Sequence, residues 1–214
     1  MQGGIILNKT FENLSEEKKL RIINSAIKEF ANKGYKRATV DNIVSKAGIS
    51  KGSIFQYFKN KERLYLYICD YQIKIITDEV FKQKENNGND FFKLYKQASR
   101  VKFEILKKNP YIFKFFKTLY SDDSQVAQKW LENILKNKDQ LVLNFIGDYD
   151  KSKFRDDIDI DMAIKTIELT FDGLSMKWMD KLSYENYESD LKSLFEEVEN
   201  YINFYKKLYY KGEN

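Results

Sequence analysis

An all-α fold is what this chain predicts, and three features of its sequence carry the prediction. Glycine and proline are scarce, nine and one in 214 residues, so the residues that punctuate turn-rich β architecture are largely missing. Charged residues make up 32% of the chain. Apolar residues recur at three-and-four spacing in segment after segment, which is the period of a helix with one buried face. A chain of this length is ample for a buried core.

In chain order, residues 1 to 13 read as a loosely held, flexible arm. Ser15 then caps a first helix, with Glu16 and Glu17 at the positive end of its dipole. Leu20, Ile23, Ile27 and Phe30, with Ala26 and Ala31 beside them, form its buried stripe, and Gly34 is its stop. Thr39 caps a second helix of about two turns, with Val40, Ile43, Val44 and Ala47 on one face, ending at Gly48, which supplies the positive φ of a tight turn. Ser50 caps a third short helix in which Ile54 and Phe58 point inward while Lys51, Ser53, Phe55, Gln56 and Tyr57 point elsewhere. Two short helices around a glycine-centred turn have the spacing of a helix-turn-helix.

Asn60 opens a long fourth helix, with Leu64, Ile68, Tyr71 and Ile75 leading toward Lys84, and E-N-N-G-N-D breaks it. A fifth helix runs from Asp90 to Lys107 with Leu94, Ala98, Val101 and Ile105 inward, and Asn109-Pro110 ends it while starting an aromatic sixth, Y-I-F-K-F-F-K-T-L-Y. Trp130, Leu131, Ile134, Leu141, Phe145 and Ile146 mark a seventh, followed by the charged loop G-D-Y-D-K-S-K-F-R-D-D. The last two helices are the most regular: Ile164, Ile167, Phe171, Leu174 and Trp178 on one, and Leu191, Leu194, Phe195, Val198, Tyr201, Ile202, Tyr205 and Leu208 on the other. Such seams allow two readings. Ile164, Ile167, Phe171, Leu174, Leu194, Val198, Tyr201 and Tyr205 form a dimer interface, a four-helix bundle made with a second copy, or the same residues pack on their own domain.

Charge is unevenly placed. Between Met1 and Arg63 stand 13 Lys and Arg against 6 Asp and Glu, so of the chain's net +5 this segment carries +7 and the remainder −2. A basic first third on a faintly acidic remainder suits a nucleic-acid-binding head joined to a body with another task. One cysteine, Cys69, rules out an intramolecular disulfide framework and fits a reducing cytosol. With no histidine, the usual zinc and histidine-based catalytic constellations are missing. Asp156, Asp157 and Asp159 stand beside Lys and Arg in a loop and read as solvated charge. The expectation is a non-enzymatic chain with no metal or cofactor, no signal peptide, no membrane span and a cytoplasmic location.

The run D-N-I-V-S-K-A-G-I-S-K-G-S-I-F-Q-Y-F-K-N-K-E-R-L resembles the DNA-binding head of TetR-family transcriptional repressors. The likeness covers about the first third of the chain; beyond it only helix count, order and length agree, with the Asp172-Gly173-Leu174 of the eighth helix. The resemblance implies a three-helix DNA-binding head over residues 1–60 and a body of about six helices over 61–214 that binds a ligand and dimerises through its last two helices. It implies that Thr39, Tyr57 and Lys61 hold phosphates, with Lys59 close by, and that Lys51, Gly52, Ser53 and Gln56 lie where the recognition helix meets base edges. Phe55 departs from the tyrosine common in the family and lacks a hydroxyl to donate. The implied partners are double-stranded DNA as a palindromic operator, a second copy of the chain, and a small-molecule effector that releases the DNA.

Aromatic residues, 15% of the chain, exceed what a helical core needs, and Tyr71, Phe103, Phe116, Tyr120, Trp130, Phe171, Met176 and Trp178 are the candidates to line a pocket for a hydrophobic or aromatic effector. The absence of histidine argues against a histidine-coordinated metal complex as inducer. Two alternatives remain open at this level: a helical adaptor that binds protein, and a transcriptional activator without a small-molecule inducer.

Overall fold

The computed structural model describes residues 9–82, 89–147, 149–183 and 185–212. Within them the chain forms ten α-helices: α1 (Lys9–Glu12), α2 (Glu16–Arg37), α3 (Val40–Ala47), α4 (Lys51–Phe58), α5 (Lys61–Lys82), α6 (Phe91–Lys108), α7 (Pro110–Tyr120), α8 (Gln125–Ile146), α9 (Ile160–Lys181) and α10 (Tyr187–Tyr209). The break expected at E-N-N-G falls outside the described residues, as do the side chains of Leu141, Phe145 and Ile146. No described helix is long and apolar enough to cross a membrane. Two compact units divide the chain.

The first unit takes in the chain up to Ile75 and returns for Asn109–Lys138, so it extends past residue 60. Its core joins Ile22, Ala26 and Phe30 of α2, Ile43 and Ala47 of α3, Ile54 and Phe58 of α4, Leu64, Tyr65 and Ile68 of α5, and Phe115 and Leu119 of α7. The caps read from the sequence are made. The Ser15 hydroxyl accepts from the Lys18 N–H at 3.4 Å, Thr39 Oγ1 from the Asn42 N–H at 3.3 Å, Ser50 Oγ from the Ser53 N–H at 3.2 Å, and Asn60 Oδ1 from the Arg63 N–H at 2.8 Å. Part of the expected arm is folded. Residues 9–12 form α1, and Phe11, 1% exposed, lies 4.8 Å from the Phe58 ring and 5.6 Å from the Tyr57 ring. Burial of one aromatic ring explains why so short a helix is held.

Gly34 does more than stop a helix. The chain kinks there with φ 66° and ψ −179°, and helix then continues to Arg37. That combination is open to glycine alone, and a Cβ added at Gly34 would sit 2.8 Å from Asp122 Oδ2. The same oxygen accepts the Tyr35 N–H. Around it α7 is bonded along α2: Lys114 Nζ donates to Asn32 Oδ1 at 2.6 Å, Thr118 Oγ1 to the Ala31 carbonyl at 2.7 Å, and Lys36 pairs with Asp123 at 2.8 Å.

The second unit, Ile76–Lys108 with Asp139–Asn214, packs α10 against α6 and α9. The loop read as charged and solvated carries a buried residue: Phe154 is 1% exposed, bridges to Tyr210, and packs on Phe91 and Phe92. Asp90 ties this end together by accepting from Lys153 Nζ at 2.8 Å, the Lys93 N–H at 3.0 Å and the Tyr210 hydroxyl at 3.3 Å. Of the seam residues on α9 and α10, Ile164, Ile167, Leu174, Trp178, Leu191, Ile202 and Tyr205 are buried by their own unit, and Phe171 stacks on Tyr95 at 5.3 Å.

Replacing Gly34 with alanine should destabilise the protein by roughly 1–3 kcal/mol, from positive φ and the approach to Asp122, and lower the melting temperature by several degrees. Lys59, at φ 65° and ψ −45°, should respond with the opposite sign. Lys59→Gly should raise the melting temperature by releasing a strain of about 1 kcal/mol. Thermal denaturation of the two variants checks both signs.

Candidate nucleic-acid interface

The helix-turn-helix is built from α3, the Gly48–Ser50 turn and α4. Gly48 adopts φ 65° and ψ 42°, and the Ile49 N–H closes the turn on the Val44 carbonyl at 3.1 Å. Ile54 and Phe58 are buried at 0% and 2%, which locks one side of α4. Lys51, Gly52, Phe55 and Gln56 stand exposed on the other side, with Ser53 half-buried and its hydroxyl 2.8 Å from that of Ser50. Thr39 is exposed at the N-terminal end of α3 and Lys59 at the C-terminal end of α4. Nothing in the fold asks for glycine at position 52: its φ is ordinary, and the nearest atom to an added Cβ is Ser50 Oγ at 3.8 Å. The missing side chain leaves open surface there.

Two side chains expected to face outward are placed differently. Tyr57 is 8% exposed, its ring among Phe11 and Phe58. It sits three residues after Ile54 and one before Phe58, on the flank of the inward stripe, and α1 covers that flank. Lys61, expected to meet a phosphate, points its ammonium at the end of α2. Nζ donates to the carbonyls of Tyr35 at 2.9 Å, Ala38 at 3.2 Å and Lys36 at 3.4 Å, and lies 4.5 Å from the centroid of the Tyr35 ring. A cation at a helix C-terminus complements its dipole and caps carbonyls that lack helical partners. Lys51 pairs with Asp41 at 2.9 Å, both groups largely exposed, and such a pair is worth so little that a phosphate can displace the carboxylate.

The residue that sets the angle between α2 and α3 was not singled out by sequence reasoning. Glu29, whose side chain is 1% exposed, accepts from the Thr39 N–H at 3.3 Å and Asn42 Nδ2 at 3.0 Å, and pairs with Lys33 at 3.1 Å and Lys46 at 3.5 Å. Burial alone would push its carboxyl up, but the bonds from Asn42, Lys33 and Thr39 together outweigh burial and hold it below the usual carboxylate range. The available signal is register: Glu29 follows Ile22 and Ala26 at helical spacing, an acid on a core-facing stripe. Near this hub, Arg21, Asn24, Ser25, Lys28 and Lys46 line a basic depression of about 310 Å³ between α2 and α3.

The pocket candidates divide between the two units. In the first, Tyr71 and Phe116 are half-buried, Tyr120 is exposed, and Trp130 is buried with Nε1 donating to Asp70 at 2.8 Å. In the second, Phe103 packs on Phe195 at 4.6 Å, Phe171 on Tyr95, and Trp178 is buried with Nε1 donating to Glu197 at 2.7 Å. Met176 is 69% exposed. The tryptophans serve the cores, and Met176 and Tyr120 face outward because they lie off the buried stripes of their helices.

A locked scaffold that offers one short, exposed helix face beside a second helix's N-terminus defines a helix-turn-helix DNA-binding head on an all-α chain. Residues 22–68 match the family model described as bacterial regulatory proteins, tetR family. The HTH-type transcriptional regulator YerO of Bacillus subtilis is 49% identical over 92 residues, a match that spans 43% of this chain and 28% of that protein's length. The HTH-type transcriptional repressor AcnR of Corynebacterium diphtheriae is 25% identical over 177 residues, 83% of this chain and 89% of the relative. The fold is shared with the transcriptional regulator FadR from Bacillus subtilis in complex with stearoyl-CoA, at a TM-score of 0.59, 20% identity, and coverage of 82% of this chain and 97% of that one. Residues 22–68 thus form a head similar to that of the tetR family of bacterial regulatory proteins.

Glu29→Gln tests the hub. The folded pKa of Glu29 is depressed, so its contribution is complete above the unfolded value of about 4.3 and is lost as pH falls through the folded one. The variant should be less stable at neutral pH by roughly 1–3 kcal/mol. Its deficit should shrink in acid below about pH 4.3, which urea denaturation at several pH values checks.

Proposed function

We propose that the chain represses transcription by binding a palindromic operator as a dimer and is released by a small, mainly apolar effector. The observation that carries the DNA-binding part is the exposed row Lys51, Gly52, Phe55 and Gln56 on a helix whose opposite side is fixed in the core. In the proposed complex α4 lies in the major groove, and Gly52 lets the backbone approach. Gln56 reads one base, with a bidentate pairing to adenine as its best match. The Phe55 ring, 39% exposed, presses on a thymine methyl or the sugar-phosphate backbone. Thr39, Lys51, Ser53 and Lys59 take phosphates or the groove edge, while Tyr57 and Lys61 act from behind, one by packing and one by holding the end of α2. The repressor sense rests on AcnR, and the effector class on the FadR relative and on the aromatic content of this chain.

The same proposal assigns the dimer contact to the outward faces of α9 and α10. Met162, Leu169 and Met176 recur every seven residues on α9 at 62%, 62% and 69% exposure, and Tyr201, Phe204 and Leu208 are exposed on α10. Gly173 lies on the same side of α9, and nothing stands within 4 Å of where its Cβ would be. A glycine inside a helix costs about 0.5–1 kcal/mol, and a partner helix crossing closely at this point accounts for it. The buried seam residues, with Ile167 and Leu174 at its centre, support this surface from within.

Gel-shift binding with DNA selected from a random pool tests the reading. Sequence-preferring, salt-sensitive binding is expected. Lys51→Ala should weaken binding to all sequences and reduce the salt slope by about one, whereas Gln56→Ala should relax preference at one base at a cost of about 1–3 kcal/mol. Loss of repression in a promoter fusion when the gene is deleted separates repressor from activator. For the dimer, Leu169→Glu with Met176→Glu should give a folded monomer in sedimentation that no longer holds a full operator; an unchanged dimer would refute the assigned face.

A further inference from the structure

Three cations converge in a depression between α2 and α3 that the proposed DNA contacts leave unused. Arg21, Asn24, Ser25 and Lys28 on α2 and Lys46 on α3 line a volume of about 310 Å³. The α2 residues stand three and four apart, so they share one face of that helix. Each of the five side chains can donate a hydrogen bond, and none is a carboxylate. Ser25 is buried, while Arg21, Asn24, Lys28 and Lys46 are exposed around it. The cations are loosely held. Arg21 meets Glu17 at 3.7 Å with both groups largely exposed, and Lys28 Nζ lies 5.4 Å from the centroid of the Tyr111 ring. Lys46 stands 3.5 Å from Glu29, the longest of that carboxylate's four contacts, so Glu29 keeps the Thr39 N–H, Asn42 and Lys33 when Lys46 turns away.

We propose that this depression binds a small free polyanion of the phosphate class: a pyrophosphate group, as the bare ion or at the end of a compact metabolite. A volume of about 310 Å³ lies at the small end of the roughly 300–1,000 Å³ usual for ligand pockets, which suits a compact ion better than a long tail. The chemistry follows from a lining that only donates or can donate throughout. A guanidinium takes two oxygens through its planar fork, and each ammonium adds charge with rotatable donors. Phosphate oxygens accept on every side and carry more than one charge, as three cations require. A carboxylate offers two oxygens in one plane and a single charge, and leaves part of the lining unmet. The backbone of operator DNA is a competing source of the same group, and the placement of Lys46 argues against it. Lys46 and Asn42 both reach Glu29, so that side of α3 faces α2. Asp41, which reaches Lys51 at the start of the recognition helix, stands about 140° around α3 from Lys46, five positions on at 3.6 residues per turn. The site is separate from the operator contacts and does not depend on them.

Isothermal titration of the full chain with sodium pyrophosphate, against sodium chloride of matched ionic strength, tests the site. The proteins compared are the wild type, Arg21→Gln with Lys28→Gln, and a charge control, Lys129→Gln with Lys136→Gln, which removes two exposed lysines of α8. Pyrophosphate should bind the wild type and the control alike, and about tenfold or more weakly to the α2 double variant. It should also raise the melting temperature of the wild type by a few degrees and leave that of the α2 variant nearly unmoved. Arg21 and Lys28 are exposed, so without ligand the α2 variant should melt close to the wild type. Failure of the wild type to bind would overturn the inference. An equal loss in both double variants would do the same, since it would mean general attraction to basic surface rather than a site. If the wild type ignores pyrophosphate while the α2 variant loses operator affinity, the depression belongs to the DNA backbone and the free ligand is refuted.

Discussion

The buried carboxylate of Glu29 is the constraint on which the head depends. It lies in the core of a three-helix unit, where an unpaired charge would be prohibitive, and it is tolerated because four donors converge on it from two helices and the turn between them. One of these is the N–H of Thr39, the first residue of the segment that leads into the recognition helix. The charge therefore fixes where α3 begins relative to α2, and through the Gly48 turn it fixes where α4 lies. Hydrophobic packing of Ile22, Phe30, Ile43 and Ile54 supplies most of the cohesion but little direction. The carboxylate, with its narrow geometric demands, supplies the direction.

A second fixed point lies at the C-terminal end of α2, just beyond Glu29. Gly34, the Tyr35 N–H and the Ala38 carbonyl are gripped from two sides, by Asp122 from the turn after α7 and by Lys61 from the start of α5. Both partners come from beyond residue 60. The head is thus part of a larger unit in which α7 lies along α2, and its orientation is set by residues far away in sequence.

Much of the head was legible because local rules act there without competition. Ser15, Thr39, Ser50 and Asn60 each cap the helix that follows, and Gly48 takes the positive φ its position demanded. What escaped the sequence is what depends on long-range partners. Tyr57 reads as outward-facing until α1 is seen to cover it, and Lys61 reads as a phosphate ligand until the carbonyls of residues 35, 36 and 38 converge on it. Phe154 sits in a run of charges that hides one buried ring. On α9 and α10 the regular apolar spacing marks a stripe that their own unit buries at Ile164, Ile167, Leu174, Ile202 and Tyr205, while Met162, Leu169 and Met176 recur on the exposed side of α9 at a wider interval. The pocket candidates were chosen for size and aromaticity, and size is equally what a core selects, as the two tryptophans show.

The recognition helix has eight residues, fewer than the roughly 12–15 at which an isolated helix becomes even marginally stable in water. Its order is therefore borrowed from its neighbours, and Phe11 is among the lenders, closing over Tyr57 and Phe58 from a segment more than forty positions earlier in the chain. The surface of α4 is therefore complete only where Phe11 packs on Tyr57 and Phe58. A four-residue helix thus carries one ring that the eight-residue recognition helix packs against.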